Sequence, residues 1–325
     1  MSAAAPPVTV VVAGRDRRAE LLATLDRQPA PVIYVDNAST DGSAAAVRGA
    51  CPAVTVVHLR RDAGAYARTL GVRRAGSEYV ALADADSWWP ARSLAAAARA
   101  LDAAPRLAVV AARILGPDGR PDPACAPLAA SPLPPVDGAP GLLGFVAGAA
   151  VVRRSAFLAA GGFDPVVGSP GEEERLAWDL AEQGWHLAYR DDVVVHRQPR
   201  ARRHLAAQRR RQVARAAVLT GFMRLPWPAA TARLQRAWHG EPPERAGAAD
   251  AVRELPAALR RRRVLSAEVL AWLVRLGEVD PDDVAEAAPT GAPTGGRTAG
   301  GRPPSAPSVR RPAPLAAGAA GRPRR

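Results

Sequence analysis

The stretch VIYVDNASTDGS, residues 32–43, decides the fold class of this chain. Its first four residues form an apolar, largely β-branched run, which predicts a buried strand. Asp36 stands at the carboxyl end of that strand. The Ser, Thr and Asp residues that follow are favoured at helix N-caps. The stretch therefore predicts a strand, a polar loop and a helix in that order.

The same alternation continues on both sides of this stretch. Further strands are predicted at residues 8–12, 54–59, 78–83, 108–115, 145–152 and 185–195, with helical patterns between most of them. Residues 116–141 are rich in Pro and Gly and predict a long irregular excursion. Alternation at this spacing predicts an α/β domain with a mostly parallel sheet flanked by helices.

Acidic residues fall where such a sheet binds ligands, beyond the carboxyl ends of its strands. Asp84 and Asp86 follow the strand at 78–83 and are one residue apart, so they need a cation or a shared proton. Mg²⁺ or Mn²⁺ held by one or two carboxylates, waters and substrate phosphates is a common arrangement. A helix cap near Pro90 is the alternative for this pair. Asp36 fits either a nucleoside contact or a plain turn.

A second acidic group lies later in the chain. Gly161-Gly162-Phe163-Asp164 is followed by Gly171-Glu172-Glu173-Glu174, which opens a predicted helix. The helix dipole explains part of this clustering, because acidic side chains stabilise a helix N-terminus. The other interpretation is a general base that takes a proton from an acceptor hydroxyl.

Tryptophans accompany both acidic groups. Trp88 and Trp89 directly follow the Asp84–Asp86 pair, and Trp178 and Trp185 flank the predicted acidic helix. Flat aromatic faces suit sugar rings and rigid pocket walls, which makes Trp88 and Trp89 candidates for an acceptor pocket. Core packing is favoured for the other two.

The order of these motifs resembles the family-2 glycosyltransferases, which have the Rossmann-like GT-A fold. The resemblance spans about residues 8–200. Four segments carry it in sequence: residues 32–43, the strand into the Asp84-Ala85-Asp86 motif, the GGFD and GEE segments, and Val193-Val194-Val195-His196. It implies an inverting transfer of a hexosyl or deoxyhexosyl group from a nucleotide-diphosphate sugar, assisted by Mg²⁺ or Mn²⁺.

The resemblance also implies residue roles. Arg15 and Asp36 would contact the nucleoside, and Asp84 would hold the ribose-diphosphate and metal. Asp86 would be the direct metal ligand, with His196 nearby. Glu173 would be the catalytic base, with Glu172 as its rival.

Some positions depart from the family pattern. Asp62 and Thr69 stand where Asn is frequent, and Asp179 stands where Arg is frequent. These departures leave open a catalytically inactive, nucleotide-sugar-binding or scaffold relative. A nucleotidyltransferase is a further alternative, but Ala13-Gly14-Arg15 is too short for its Gly-rich phosphate loop.

Composition restricts the partners and the cellular location that are expected for this protein. The 325 residues carry a formal net charge of +13, and all 44 basic residues are Arg. The arginines concentrate after residue 197, but no nucleic-acid-binding module accompanies them, so no nucleic-acid partner is expected. Cys51 and Cys125 form no disulfide framework. Without a signal peptide or a long apolar run, a cytoplasmic protein is expected, free or peripheral on the inner membrane face.

Three regions are predicted. Residues 1–200 form the GT-A domain, residues 201–288 a basic helical extension, and residues 289–325 a disordered tail rich in Pro, Gly and Arg. The acceptor is expected to be a glycan or a lipid-linked molecule, as in cell-wall polysaccharide synthesis.

Overall fold

A computed structural model describes residues 8–198 and 206–285. The predicted disordered tail, residues 289–325, lies outside the described residues. So do residues 199–205, which include the start of the predicted basic helical extension.

The first half of the sheet alternates strands and helices as the sequence predicts. Its strands are β1 (Val8–Gly14), β2 (Val32–Asp36), β3 (Thr55–His58) and β4 (Tyr79–Ala83). The helices between them are α1 (Arg18–Thr24), continued by a 3₁₀ turn (Leu25–Arg27), α2 (Ser43–Ala50) and α3 (Tyr66–Arg74). Strands β1, β2 and β4 are buried almost throughout, which explains their continuous apolar runs.

The second half is less regular. It comprises β5 (Ser87–Trp88), α4 (Ala91–Ala103), β6 (Leu107–Leu115), α5 (Cys125–Ala129), β7 (Leu133–Val136), β8 (Ala139–Gly141), β9 (Ala149–Arg153), α6 (Arg154–Ala159), α7 (Glu172–Glu182) and β10 (His186–Arg197). The excursion at 116–141 is therefore not wholly irregular, because it holds α5, β7 and β8. Pro134 and Pro135 obscured β7, and they are tolerated there because β7 ends the sheet.

The described residues form one sheet in the order β3-β2-β1-β4-β9-β6-β10-β8-β7, with β5 paired to β10. The strands β3, β2, β1, β4, β6 and β10 run in one direction, so the sheet is mixed but mostly parallel. The chain reverses its winding between β1 and β4, and such a switch point opens a crevice at the carboxyl ends of the strands.

Strand β9 lies antiparallel between β4 and β6. Its first residue, Ala149, pairs with Ala83 at the end of β4. The segment just before β9, residues 145–148, therefore lies at the same edge as Asp84. Periodicity alone predicts a strand here but not its direction.

Helix α3 packs closely onto β1 and β2. Gly71 permits this approach, because a Cβ there would overlap the side chain of Val11 and crowd Val35. This close packing holds α3 against β1 and β2. Arg68, in the first turn of α3, is thereby positioned near the carboxyl ends of the strands, where it contacts Asp84.

The helical extension comprises α8 (Ala206–Arg224), α9 (Trp227–His239), α10 (Pro242–Leu259), α11 (Ala267–Arg275) and α12 (Pro281–Ala285). It packs against α7 through a buried ionic network. The Asp179 carboxylate accepts from Arg175 of its own helix and from Arg224 of α8. The Asp179 departure thus has a structural role, since its carboxylate pairs with two buried guanidinium groups and offsets one of their two charges. All described residues fall within one compact unit.

Among residues 8–198 and 206–285, no helix combines the length and apolar character needed to cross a bilayer.

Candidate functional site

Two cavities meet at the switch point of the sheet. The smaller one, the β1 cavity, has a volume of about 340 Å³. Its walls come from the ends of β1 and β4, the loops after β2 and β3, helix α3 and the loop before α7. The lining residues are Ala13, Gly14, Arg15, Arg17, Asn37, Asp62, Gly64, Arg68, Asp84, Ala85, Asp86 and Ser169.

The larger one, the central cavity, has a volume of about 820 Å³. It is lined by Glu172 and Glu173, by the segment 145–148 and by charged residues that include Arg120, Asp122, Arg197 and Arg209. Arg68, Asp84 and Ser169 line both cavities. The sequence-predicted Asp84, Asp86 and Glu173 therefore lie on one continuous cleft.

Arg68 links the two acidic motifs. Its guanidinium donates to the Asp84 carboxylate at 2.6 Å and to the Glu172 carboxylate at 3.1 Å. Arg197, at the end of β10, approaches the other Asp84 oxygen at 3.4 Å. Two cationic side chains thus lie in the acidic cleft, where they are suited to meet an anionic ligand.

The three consecutive glutamates of α7 have three different environments. Glu172 is buried and contacts Arg68, whereas Glu174 accepts from Arg233 of α9 at 2.8 Å. Glu173 is half-buried on the central cavity and accepts from the backbone N–H of Ala147 at 3.1 Å. Successive helical residues point about 100° apart, which accounts for this division. Glu173 is the one of the three whose carboxylate is both positioned and open to a ligand.

Glu172 has an unusual proton affinity. Burial raises its pKa to about 7, the neighbouring Glu173 adds to the increase, and Arg68 opposes it. The direction follows from the cost of ionising a carboxyl group away from water beside a like charge.

The segment before β9 supports both acidic motifs. A Cβ on Gly148 would lie 2.5 Å from the Asp84 carboxyl carbon, so only glycine fits there. The preceding N–H, from Ala147, is the donor to Glu173. One tight segment therefore fixes Asp84 and Glu173 relative to each other.

Asp36 lies beneath the cleft and not on its surface. It is fully buried, and its carboxylate accepts from the Tyr34 hydroxyl at 3.0 Å and lies 2.6 Å from the His58 ring nitrogen. The next residue, Asn37, lines the β1 cavity and donates to Asp62 at 2.7 Å. The structure thus brings Asn37 and Asp62, in place of Asp36, to the predicted nucleoside position.

Arg15 lies where the sequence predicts it, on the β1 cavity. It donates to Asp62 at 2.6 Å. The following Asp16 has a φ of +52° and accepts from the backbone N–H groups of Thr40 and Asp41. These contacts tie the loop after β1 to the loop after β2.

The closing strand presents Arg197 to the cleft. Neighbouring strand residues point to opposite faces, and since Arg197 contacts Asp84, His196 is directed away from it. The His196 ring stacks on Trp88 with centroids 5.3 Å apart. The metal-site prediction requires His196 to lie beside the Asp84–Asp86 pair, and the structure does not place it there.

The two adjacent tryptophans have unlike roles. Trp89 is fully buried and donates from its indole nitrogen to the Leu82 carbonyl, so it belongs to the core and not to an acceptor pocket. Trp88 packs between His196 and the Arg27 guanidinium. Buried Trp178 confirms the core packing expected for it.

A divalent cation was the cofactor expected from the resemblance. Within the part of the chain that the structure describes, no three His, Cys, Asp or Glu side chains are grouped to hold a metal ion by themselves. Asp84 and Asp86 both line the β1 cavity. Because Mg²⁺ commonly takes one or two carboxylates and completes its shell with waters and phosphates, this pair fits a cation shared with a diphosphate.

Sequence reasoning missed Arg68, Arg197 and the Ala147–Gly148 segment. Every basic residue in the chain is Arg, so an arginine carries little signal by itself. Arg197 directly follows the predicted His196, which is the only sequence signal that points to it.

Comparisons with known proteins cover the first two of these motifs, residues 32–43 and the strand into Asp84-Ala85-Asp86. The model of the glycosyl transferase family 2 matches residues 10–158. A solved structure of S. aureus TarS, residues 1–349 in complex with UDP-GlcNAc, is similar with a TM-score of 0.51 at 16% identity, covering 78% of this chain and 72% of that chain. The mannosyltransferase PcManGT from Pyrobaculum calidifontis, in complex with GDP-Man and Mn²⁺, gives a TM-score of 0.48 at 22% identity, covering 88% and 81%. A search of curated protein sequences gave no match.

Proposed function

Through residues 10–158 this chain belongs to glycosyltransferase family 2, with the GT-A fold, and from that premise we propose that it is an inverting, metal-assisted enzyme. It moves a hexosyl or deoxyhexosyl group from a nucleotide-diphosphate sugar to a hydroxyl of a glycan or lipid-linked acceptor. Both substrates bind in the cleft at the switch point of the sheet.

One observation carries the proposal: the β1 cavity and the central cavity share Arg68, Asp84 and Ser169 as a common wall. A donor that occupies the β1 cavity would place its diphosphate at this wall. The transferred sugar would then extend into the central cavity, toward Glu173. A single displacement needs this order of donor, reacting carbon and base.

The nucleoside part of the donor fits the β1 cavity. Asn37 and Asp62 offer amide and carboxylate groups there, and Arg15 lies beside them. Arg68 and Arg197 are placed to bind phosphate oxygens, because a guanidinium matches phosphate geometry with two donors.

In the proposed reaction Glu173 accepts the proton of the acceptor hydroxyl. The hydroxyl oxygen forms the new bond to the anomeric carbon as the bond to the diphosphate breaks, and the bonding pair leaves with the diphosphate. One displacement of this kind inverts the anomeric configuration. The Ala147 N–H holds the Glu173 carboxylate in place for the proton transfer.

Asp86 and Asp84 are the residues that would hold Mg²⁺ or Mn²⁺. The bound cation would supply neutralisation of charge on the leaving diphosphate. His196 is left out of this set, since its ring stacks on Trp88.

The test is donor turnover with a metal requirement. A panel of nucleotide sugars is incubated with the protein and Mn²⁺ or Mg²⁺, and release of the nucleoside diphosphate is measured. At least one donor should be hydrolysed, and Asp86→Ala should lower that rate at least 100-fold. Asp137→Asn, an exposed acid on the β7–β8 turn, is the matched control.

An inactive nucleotide-sugar-binding relative is the competing outcome. It would show a metal-dependent rise in melting temperature with a nucleotide sugar but no diphosphate release. Full activity of Asp86→Ala would remove Asp86 from the scheme.

Peripheral membrane contact is supported by one face of the extension. Trp227 and Trp238 are about half exposed, at 54% and 50%, and their spacing of eleven residues places them on one face of α9. Arg262 lies 3.9 Å from the Trp227 ring centroid. Exposed tryptophans next to cationic side chains suit the interface of an anionic bilayer.

Sedimentation with vesicles tests this contact. The protein should bind vesicles that contain anionic phospholipid more strongly than neutral ones, and a Trp227→Ser, Trp238→Ser double variant should lose most of that binding. Equal sedimentation of the variant and the wild type would contradict the proposal.

A further inference from the structure

A third cavity adjoins the proposed base on the side away from the donor. This apolar cavity has a volume of about 350 Å³ and is lined by residues of α5, of the segment before β9, of α7 and of α11. It shares Phe145, Gly171 and Glu173 with the central cavity. Glu173 therefore lies at the boundary between a charged cavity and an apolar one.

The walls of the apolar cavity are mostly hydrocarbon. Leu143, Phe145 and Leu273 are buried side chains of the core, and Leu128 and Leu276 are half-buried. Acidic groups other than Glu173 lie at its edge, where Glu174 and Glu278 are both paired with Arg233. Arg233 offsets one of these two negative charges, and the remaining walls, formed mainly by leucine and aromatic side chains, are suited to an apolar ligand.

The extension builds one side of this cavity. Leu273 lies in α11 and Leu276 is the C-cap residue of that helix. Leu128 lies in α5, within the Pro-rich excursion. The Arg233–Glu174 contact holds the extension against α7, the helix that carries Glu173. Helix α9, which carries Arg233, is thus held directly to α7, and Arg233 also contacts Glu278 in the segment that follows α11.

We propose that the apolar cavity is an acceptor subsite, and that the acceptor carries an apolar group, an alkyl chain or ring, close to the hydroxyl that is glycosylated. The inference rests on the proposed function, because it takes Glu173 as the base. A hydroxyl held at Glu173 has the donor cleft on one side and the apolar cavity on the other. The part of the acceptor that lies beyond this hydroxyl, away from the donor, would therefore occupy the apolar cavity.

A wholly polar acceptor is less consistent with these walls. The charged residues Arg120, Asp122 and Arg209 line the central cavity and not the apolar one. A polar acceptor in the apolar cavity would lose its contacts with water without replacing them.

The test compares two probes that share one sugar, methyl β-glucoside and octyl β-glucoside, the latter below its micelle concentration. Binding is followed by the intrinsic fluorescence of the protein, since Trp178 lines the cavity. Octyl β-glucoside should bind the wild-type chain at least tenfold more tightly than the methyl compound. Leu276→Gln and Leu128→Gln should each remove most of this difference, because each places an amide in the apolar wall.

Leu259→Gln is the matched control. Leu259 is an exposed leucine of α10, 39% accessible, that does not line the cavity, so its variant should keep the preference for the octyl probe. Equal binding of the two probes to the wild type overturns the inference. So does an octyl preference that survives in both cavity variants.

Binding of these probes needs neither donor nor turnover, so the result is independent of the test of the proposed function. Donor hydrolysis without acceptor is measured on Leu259→Gln and should be unchanged, because Leu259 lines neither the β1 cavity nor the central cavity. If no nucleotide sugar is hydrolysed by the wild type, the proposed function fails while the subsite is still judged by the probe binding.

Discussion

The Arg68 guanidinium lies 2.6 Å from the Asp84 carboxylate and joins it to the acidic helix α7. Helix α3 and the end of β4 meet at this contact. Because Arg68 also contacts Glu172, one side chain balances an acid from each of the two motifs.

Removing this side chain should damage both stability and turnover. Arg68→Ala removes the shared cationic partner of Asp84 and buried Glu172. Because the raised pKa of Glu172 lets this carboxyl take up a proton instead, we expect the free energy of unfolding to fall by about 1–3 kcal/mol. Donor hydrolysis should fall at least 100-fold. Chemical denaturation and the hydrolysis assay measure the two effects. Arg74→Ala, an exposed change on the same helix, should alter neither.

The role of Glu173 can be separated from those of its neighbours by amide substitution. Glu173→Gln keeps an oxygen that can accept from Ala147 but cannot take a proton, so transfer to an acceptor should fall by about 10²–10⁴-fold. The rise in melting temperature caused by nucleoside diphosphate and metal should be retained.

Glu268→Gln, an exposed change on α11 that lines none of the three cavities, is the control for the previous variant. It should keep most of the transfer rate. If Glu173→Gln were as active as the wild type while Glu172→Gln was inactive, the base would have to be reassigned to Glu172.

The raised pKa of Glu172 predicts how stability depends on pH. A carboxyl whose pKa is about 7 when folded binds its proton more tightly than the unfolded chain does. The contribution to stability is complete below the ordinary Glu pKa and is lost as pH rises through 7. Between pH 6 and pH 8 this loss should amount to about 1 kcal/mol, or about 2–4 °C in melting temperature.

Glu172→Gln cannot ionise, so its melting temperature should change less over the same pH range. Glu268→Gln, an exposed change on α11, should keep the pH dependence of the wild type. Parallel curves for Glu172→Gln and the wild type would show that Glu172 does not titrate in this range.

Gly148 should tolerate no side chain. In Gly148→Ala the new Cβ would lie 2.5 Å from the Asp84 carboxyl carbon, so Asp84 or the segment before β9 must shift. We expect donor hydrolysis to fall at least tenfold, with a loss of stability of about 1–3 kcal/mol. A Cβ at Gly76 meets nothing within 4 Å, so Gly76→Ala is the matched control, and it should remain fully active.

The local sequence pattern predicted some strands of the sheet correctly and failed to predict others. The strands β1, β2 and β4 are buried on both faces, so their apolar runs are continuous. Asp36 marks the end of β2, and Asp84 directly follows β4. Strand β7 contains two prolines and lies at the edge, so its composition resembles that of a loop. The pattern could not distinguish adjacent Trp88 and Trp89, because the full burial of Trp89 and the partial burial of Trp88 depend on the neighbouring strands and helices.

The sequence was sufficient to predict the alternation of strands and helices, the resemblance to glycosyltransferase family 2, and the placement of Asp84, Asp86 and Glu173 near one edge of the sheet. These features are local, because strand length, loop chemistry and helix capping follow from neighbouring residues. Only the tertiary structure decided which side chains face the cleft. The antiparallel insertion of β9, the strand alternation that presents Arg197 and turns His196 away, and the contacts of Glu172 and Glu174 all depend on residues distant in the chain, which no local pattern encodes.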